Sequence, residues 1–185
     1  MSTILLAIFT GMLAILGMLQ LLVIFEQGNF LRDSSERQLR AYLAAVPGGT
    51  TDLFYGVEIY AYVNHRNDGL TPAHITGRGM RIMIDDGQLS NDNDHVFKDL
   101  EMNGSTMSLP RSGNVEYWES HSGFTIDEVQ NVRNYRHKKR LYIIGQFYYD
   151  DAYGKSRFTR FCFMYYGENY GSDDAEYCEA GNESN

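Results

Sequence analysis

The stretch Leu141–Tyr166, LYIIGQFYYDDAYGKSRFTRFCFMYY, decides how this chain folds. From Leu141 to Tyr149 it consists of β-formers, apart from Gly145 and Gln146. Asp150 to Lys155, with Gly154, reads as a tight turn. Ser156 to Tyr166 is a natural antiparallel partner, so the stretch predicts a long β-hairpin. Apolar residues fall on both parities. One face therefore belongs in a core and the other is partly covered.

Outward from the hairpin, shorter strands alternate with turn signals. In Phe54 to Asn64 one parity holds Val57, Ile59, Ala61 and Val63, and the other holds Glu58, Tyr60 and Tyr62. This alternation predicts a half-buried strand. A loop from Arg66 to Ala73 follows, then a third strand from His74 to Ile84. Leu39 to Val46 is a candidate first strand, closed by Pro47-Gly48-Gly49. The polar segment Gln88 to Gly104 offers a short strand or turn around His95 to Leu100, and Ser105 to Leu109 is a short strand stopped by Pro110. Thr125-Ile126-Asp127-Glu128 fits a capping box opening a short helix through Val132. Many short strands with little helix predict an antiparallel immunoglobulin-like β-sandwich, with a small closed barrel as the alternative.

At the N-terminus, Ile4 to Phe25 is an unbroken apolar run, ILLAIFTGMLAILGMLQLLVIF. Roughly 30 Å of hydrocarbon needs about 20 apolar residues at helical rise, so the run is long enough to cross a bilayer. It lacks the basic n-region, short h-region and small-residue cleavage site of a signal peptide. The expectation is a retained single-pass anchor contacting the lipid bilayer. No Lys or Arg precedes the run, while Arg32, Arg37 and Arg40 follow it. That asymmetry predicts a C-terminal domain in the cytoplasm. The predicted organisation is an anchor over 1–27, a juxtamembrane helix or linker over 28–40, a β-sandwich over 41–167 and a flexible acidic tail over 168–185.

The net charge is −8, with basic residues gathered between Val132 and Arg160 and an acidic stretch beyond Gly167. An acidic chain is a poor nucleic-acid binder, so that class is excluded. There are two cysteines, Cys162 and Cys178. In a cytoplasmic domain they are expected as free thiols; in an external one a disulfide would pin the acidic tail to the strand holding Cys162.

Signatures of chemistry fail on inspection. Asn91-Asp92-Asn93-Asp94-His95 resembles a calcium loop, but Val96 stands where an EF-hand needs an acid or amide. The histidines His65, His74, His95, His121 and His137 form no ligand pair. Ser120-His121-Ser122-Gly123 lacks the G-x-S-x-G elbow, and Gly77-Arg78-Gly79 lacks the rest of a phosphate loop. No enzyme activity, metal or cofactor is expected. The sequons at Asn103 and Asn182 read as chance matches in a cytoplasmic domain.

Three segments carry a resemblance. They are Ala41-Tyr42-Leu43; the loop Asn67-x-Gly69-x-Thr71-Pro72-Ala73; and Tyr142-Ile143-Ile144-Gly145-Gln146-Phe147-x-Tyr149 with Asp151-x-Tyr153-Gly154 and Thr159-Arg160-Phe161-Cys162. In these the chain resembles a broad group of uncharacterised bacterial membrane-anchored proteins, with one or two N-terminal spans and a small β-sandwich. The resemblance implies that fold and a place in the bacterial plasma membrane, and no activity. The motifs also have architectural readings as turn-formers, with Arg160 expected to pair with Asp150 or Asp151. Two functional classes remain. One is an interaction module docking a membrane-protein partner, with Tyr142, Tyr148, Tyr153 and Arg160 as candidate surface. The other is a small-ligand receptor on the outer side of the membrane, stacking sugars on Trp118, Tyr135, Tyr142 and Tyr148.

Overall fold

The structure is a computed structural model and describes residues 3–53, 58–86, 94–134 and 138–185. The chain divides into two units, Met1–Leu39 and Arg40–Asn185. The first is one helix, α1 (Thr3–Leu39), long and apolar enough to span a membrane. Phe9, Met18, Leu21 and Phe25 are all more than half exposed, so the helix has no buried side. Its charged end continues as helix rather than linker, laced by the i,i+4 pairs Arg32–Glu36 (3.2 Å) and Arg37–Asp33 (2.7 Å).

The second unit is mainly β, with antiparallel sheets. Its elements are β1 (Leu43–Leu53), β2 (Glu58–Asn67), β3 (Ala73–Asp85), α2 (Asp94–Lys98), β4 (Asn103–Leu109), β5 (Asn114–Ser122), α3 (Ile126–Arg133), β6 (Arg140–Asp150), β7 (Ser156–Tyr165), β8 (Glu176–Tyr177) and β9 (Glu183–Ser184). One sheet has the order β1-β2-β5. The other runs β4-β3-β6-β7-β8, with β9 also paired to β7.

A single core draws on both sheets. It takes Ile59, Ala61 and Val63 from β2, Ile75 from β3, and Ile143, Phe147, Phe161 and Phe163 from the β6–β7 hairpin. The predicted parity of β2 holds: Ile59, Ala61 and Val63 are fully buried and alternate with half-buried Tyr60 and Tyr62. Val57 lies outside the described residues. The other face of the hairpin is covered too. Tyr142, Ile144, Cys162 and Met164 pack beneath Val96, Phe97 and Leu100 of the α2 region and against Cys178. In the hairpin register Gly145 lies opposite Phe161, whose ring occupies the space a Cβ on Gly145 would need.

The structure departs from several expectations. The first strand does not start at Leu39, which is still helical, nor stop at Pro47. It runs through Pro47-Gly48-Gly49 by a bulge, Pro47 pairing with Val63 and Gly49 with Tyr62. Proline is tolerated because β1 is an edge strand, and Gly49 supplies φ +96°. The segment around His95 to Leu100 begins as helix, α2, rather than strand. β5 was not anticipated, because only Val115 and Tyr117 mark its inner face with apolar side chains. The acidic segment beyond Gly167, expected to fray, folds back: β8 pairs with Phe163 and Met164, and β9 with Thr159 and Arg160. The capping box forms as read, with the Glu128 amide donating to Thr125 Oγ1 (3.2 Å) and the Thr125 amide to Glu128 Oε2 (2.8 Å).

Candidate functional site

The motif residues that looked most like a site hold the fold together. Asn67 is fully buried at the end of β2. Its Nδ2 donates to the carbonyls of Thr71 (2.8 Å), Leu109 (3.2 Å) and Pro110 (3.3 Å). Its Oδ1 accepts from the amides of Gly69 (3.0 Å) and Tyr42 (3.3 Å). One amide side chain thus joins the loop, the end of β4 and the entry to β1, satisfying backbone groups that burial would otherwise strand.

Asp151 plays the same part at the β6–β7 turn. It is 5 % exposed. Its Oδ1 accepts from the amides of Tyr153 (2.9 Å) and Lys155 (2.9 Å), and Oδ2 from Arg157 Nε (3.2 Å). Burial works to raise its pKa, but the Lys155 and Tyr153 amides and the Arg157 guanidinium outweigh it and hold the carboxyl below its ordinary value. The register sets Arg160 opposite Gln146, and Asp150 opposite Ser156. Arg160 binds Glu183 on β9, and its Nε reaches Gln146 Oε1 (3.3 Å).

The β6–β7 register puts Tyr142, Tyr148 and Arg160 on one face of the hairpin, but they do not form an open surface. Tyr142 is 1 % exposed and sits in the cluster beneath α2, so it is no surface residue. Burial raises its phenol pKa, offset in part by Arg140. Tyr148 and Tyr153 are partly exposed, on β6 and in the following turn. Trp118 is exposed on β5, in the other sheet. Tyr135 lies outside the described residues.

A shallow cavity of about 310 Å³ opens between β1, β7 and β9. Tyr42, Ala44, Asp68, Thr159, Arg160 and Glu183 are among its walls. Beside it the sheets are stitched together: Thr159 Oγ1 donates to the Leu43 carbonyl (2.8 Å), and the Leu43 amide donates to the Tyr149 hydroxyl (3.5 Å). Its charged pair, Arg160–Glu183, is already satisfied, and its described lining residues include no nucleophile–base arrangement. Among the described residues no group of three or more His, Cys, Asp or Glu could hold a metal ion. One more feature ties this region down, the link that the sequence reading expected for an external domain and not for a cytoplasmic one. Cys162 on β7 and Cys178 after β8 form a disulfide across a separation of 16 residues.

No family model and no curated protein matches the chain. Among solved structures, it is similar to the crystal structure of a putative ApaA protein from Bordetella pertussis. The TM-score is 0.39 at 10% identity, covering 69% of this chain and 94% of that one.

Proposed function

We propose that the protein is a membrane-tethered interaction module. In this reading α1 holds the chain in a bilayer, and the β unit, an immunoglobulin-like sandwich, docks a membrane-protein partner and performs no chemistry of its own. The carrying observation is the division of labour among side chains: α1 leaves its large apolar residues exposed all round, while Asn67, Asp151 and Arg160 are occupied in holding the fold. The strand order supports the immunoglobulin-like assignment. β1-β2-β5 and β4-β3-β6-β7 are the two sheets of such a topology with the fourth strand moved to the second sheet. The small-ligand reading loses its shared stacking surface, because Tyr142 is buried and Tyr148 and Trp118 belong to different sheets. Site-specific crosslinking in intact membranes tests the module. Crosslinkers placed along the exposed strands should trap one specific partner, and their silence at every position sinks the reading.

Two observations pull the orientation opposite ways. Arg32, Arg37 and Arg40 favour a cytoplasmic domain, by a statistical bias in insertion. The Cys162–Cys178 disulfide favours an oxidising compartment, because cytosolic thiols are kept reduced. We give the covalent link the greater weight and propose a domain on the oxidising side. A reporter fused after Asn185 that needs disulfides to fold should then be active. Activity only from a reporter confined to the reducing side would restore the arginine-based orientation.

A further inference from the structure

The outer face of the β1-β2-β5 sheet carries a feature that neither the core nor the turn network uses. β2 sends Ile59, Ala61 and Val63 into the core, so Tyr60 and Tyr62 point the other way. β5 pairs with β2 in a register that sets Trp118 opposite Tyr62 and Ser120 opposite Tyr60. Trp118 is 57% exposed, and its ring centroid is 5.9 Å from that of Tyr60. A large exposed indole beside two half-buried phenol rings is unusual on a sheet face that no other described element covers.

Apart from the Arg66–Asp68 pair, the charges that the register sets on this face are carboxylates. The register places Glu58 beyond one end of it, opposite Ser122, and Glu116 beyond the other, opposite Asn64. Glu58 accepts from the Tyr60 hydroxyl (3.3 Å), and among the described residues neither carboxylate forms an ion pair: the nearby cation, Arg66, is held by Asp68 through two hydrogen bonds of 2.6 and 3.1 Å. Aromatic faces attract cations through their quadrupole, and the flanking carboxylates add to that attraction. An anionic ligand is repelled. A second copy of this chain, with a net charge of −8 and the same two carboxylates on this face, is repelled as well.

We propose that this face docks an extended basic segment of a partner protein. Alternate Lys or Arg side chains lie over Trp118 and Tyr60 and reach Glu58 and Glu116. β5 is an edge strand, so the partner's backbone has a free rim to align with. The proposal rests on the interaction-module reading and gives it a site and a partner chemistry.

Trp118 is the only tryptophan in the chain, so its emission reports on the site directly. Full-length protein in detergent is titrated with a synthetic peptide alternating Arg and Thr. A saturable change in emission, weakened by added salt, is expected. Glu58→Gln with Glu116→Gln should weaken binding by roughly tenfold, as loss of two exposed charge contacts implies. Asp174→Asn with Glu179→Gln removes the same charge elsewhere and should leave binding unchanged. The matching citrulline peptide should not bind. The proposal is overturned if the Arg peptide leaves the emission unchanged, if citrulline binds equally, if the two double variants behave alike, or if only neutral oligosaccharides shift the emission. A crosslinker at position 118 or 148 in intact membranes separates this failure from that of the module. A partner trapped at 148 alone keeps the module and discards this face.

Discussion

His65 is fully buried, with its ring 4.4 Å from that of Phe147 and neither ring nitrogen hydrogen-bonded. Burial first, and then the Arg78 guanidinium, push its pKa down from 6.5 to about 4. The unfolded chain therefore takes up this proton more readily than the folded one. Stability from this source is level above pH 6.5 and falls as the pH drops toward 4, by about 3 kcal/mol in all. Urea unfolding at pH 7.5 and 4.5 should show that loss, and His65→Leu should remove most of the difference. Equal acid sensitivity in the variant would show that other groups govern the acid limb. The sequence displays His65 only as one of several scattered histidines; its position in the alternation of β2 is what signals burial. Asn67 was legible as a turn residue. Its bond to the Leu109 carbonyl spans 42 positions, and no local pattern encodes such a contact.

At the scale of elements, the strongest patterns were the most legible. β2, β6, β7 and the cap of α3 follow from alternation, β-propensity and capping chemistry, all of which are local. β5 and α2 were missed because tertiary cover makes them. β5 has one apolar face at a sheet edge, and α2 is a 5-residue helix set over the hairpin. Gly145 reads in sequence as a flaw in a good strand, yet it makes room for the Phe161 ring. Gly145→Ala should destabilise the domain by about 1–3 kcal/mol through overpacking, seen as a lowered Tm. An unchanged Tm would mean that Phe161 moves aside freely. The disulfide ties the last segment to β7. A closed loop of this size is worth about 3 kcal/mol. Reduction should raise amide exchange at Tyr177 and Glu183 while leaving Ile143 protected. Uniform protection before and after would show that β8 and β9 hold without the covalent link.

For the whole molecule, composition and the apolar run indicated a helix able to span a membrane and one mainly β unit, and the structure has both. The sheet order was not legible. It depends on which strands cross between sheets, and the alternation within each strand is the same for either answer. The fold-back of the C-terminal segment was hidden for a related reason: its composition is that of a solvated tail, and its partners, Cys162 and the β7 backbone, are distant in sequence. That fold-back bears on how such a chain behaves in a crowd. In the proposed membrane-tethered arrangement, copies of the chain meet in a plane, with their sheet edges repeatedly in reach. An uncovered β7 would offer those copies a row of unsatisfied amides and carbonyls, the template from which open-ended strand-to-strand growth begins. With β8 and β9 already seated there and fixed by the disulfide, the larger sheet is closed to self-recruitment along that rim.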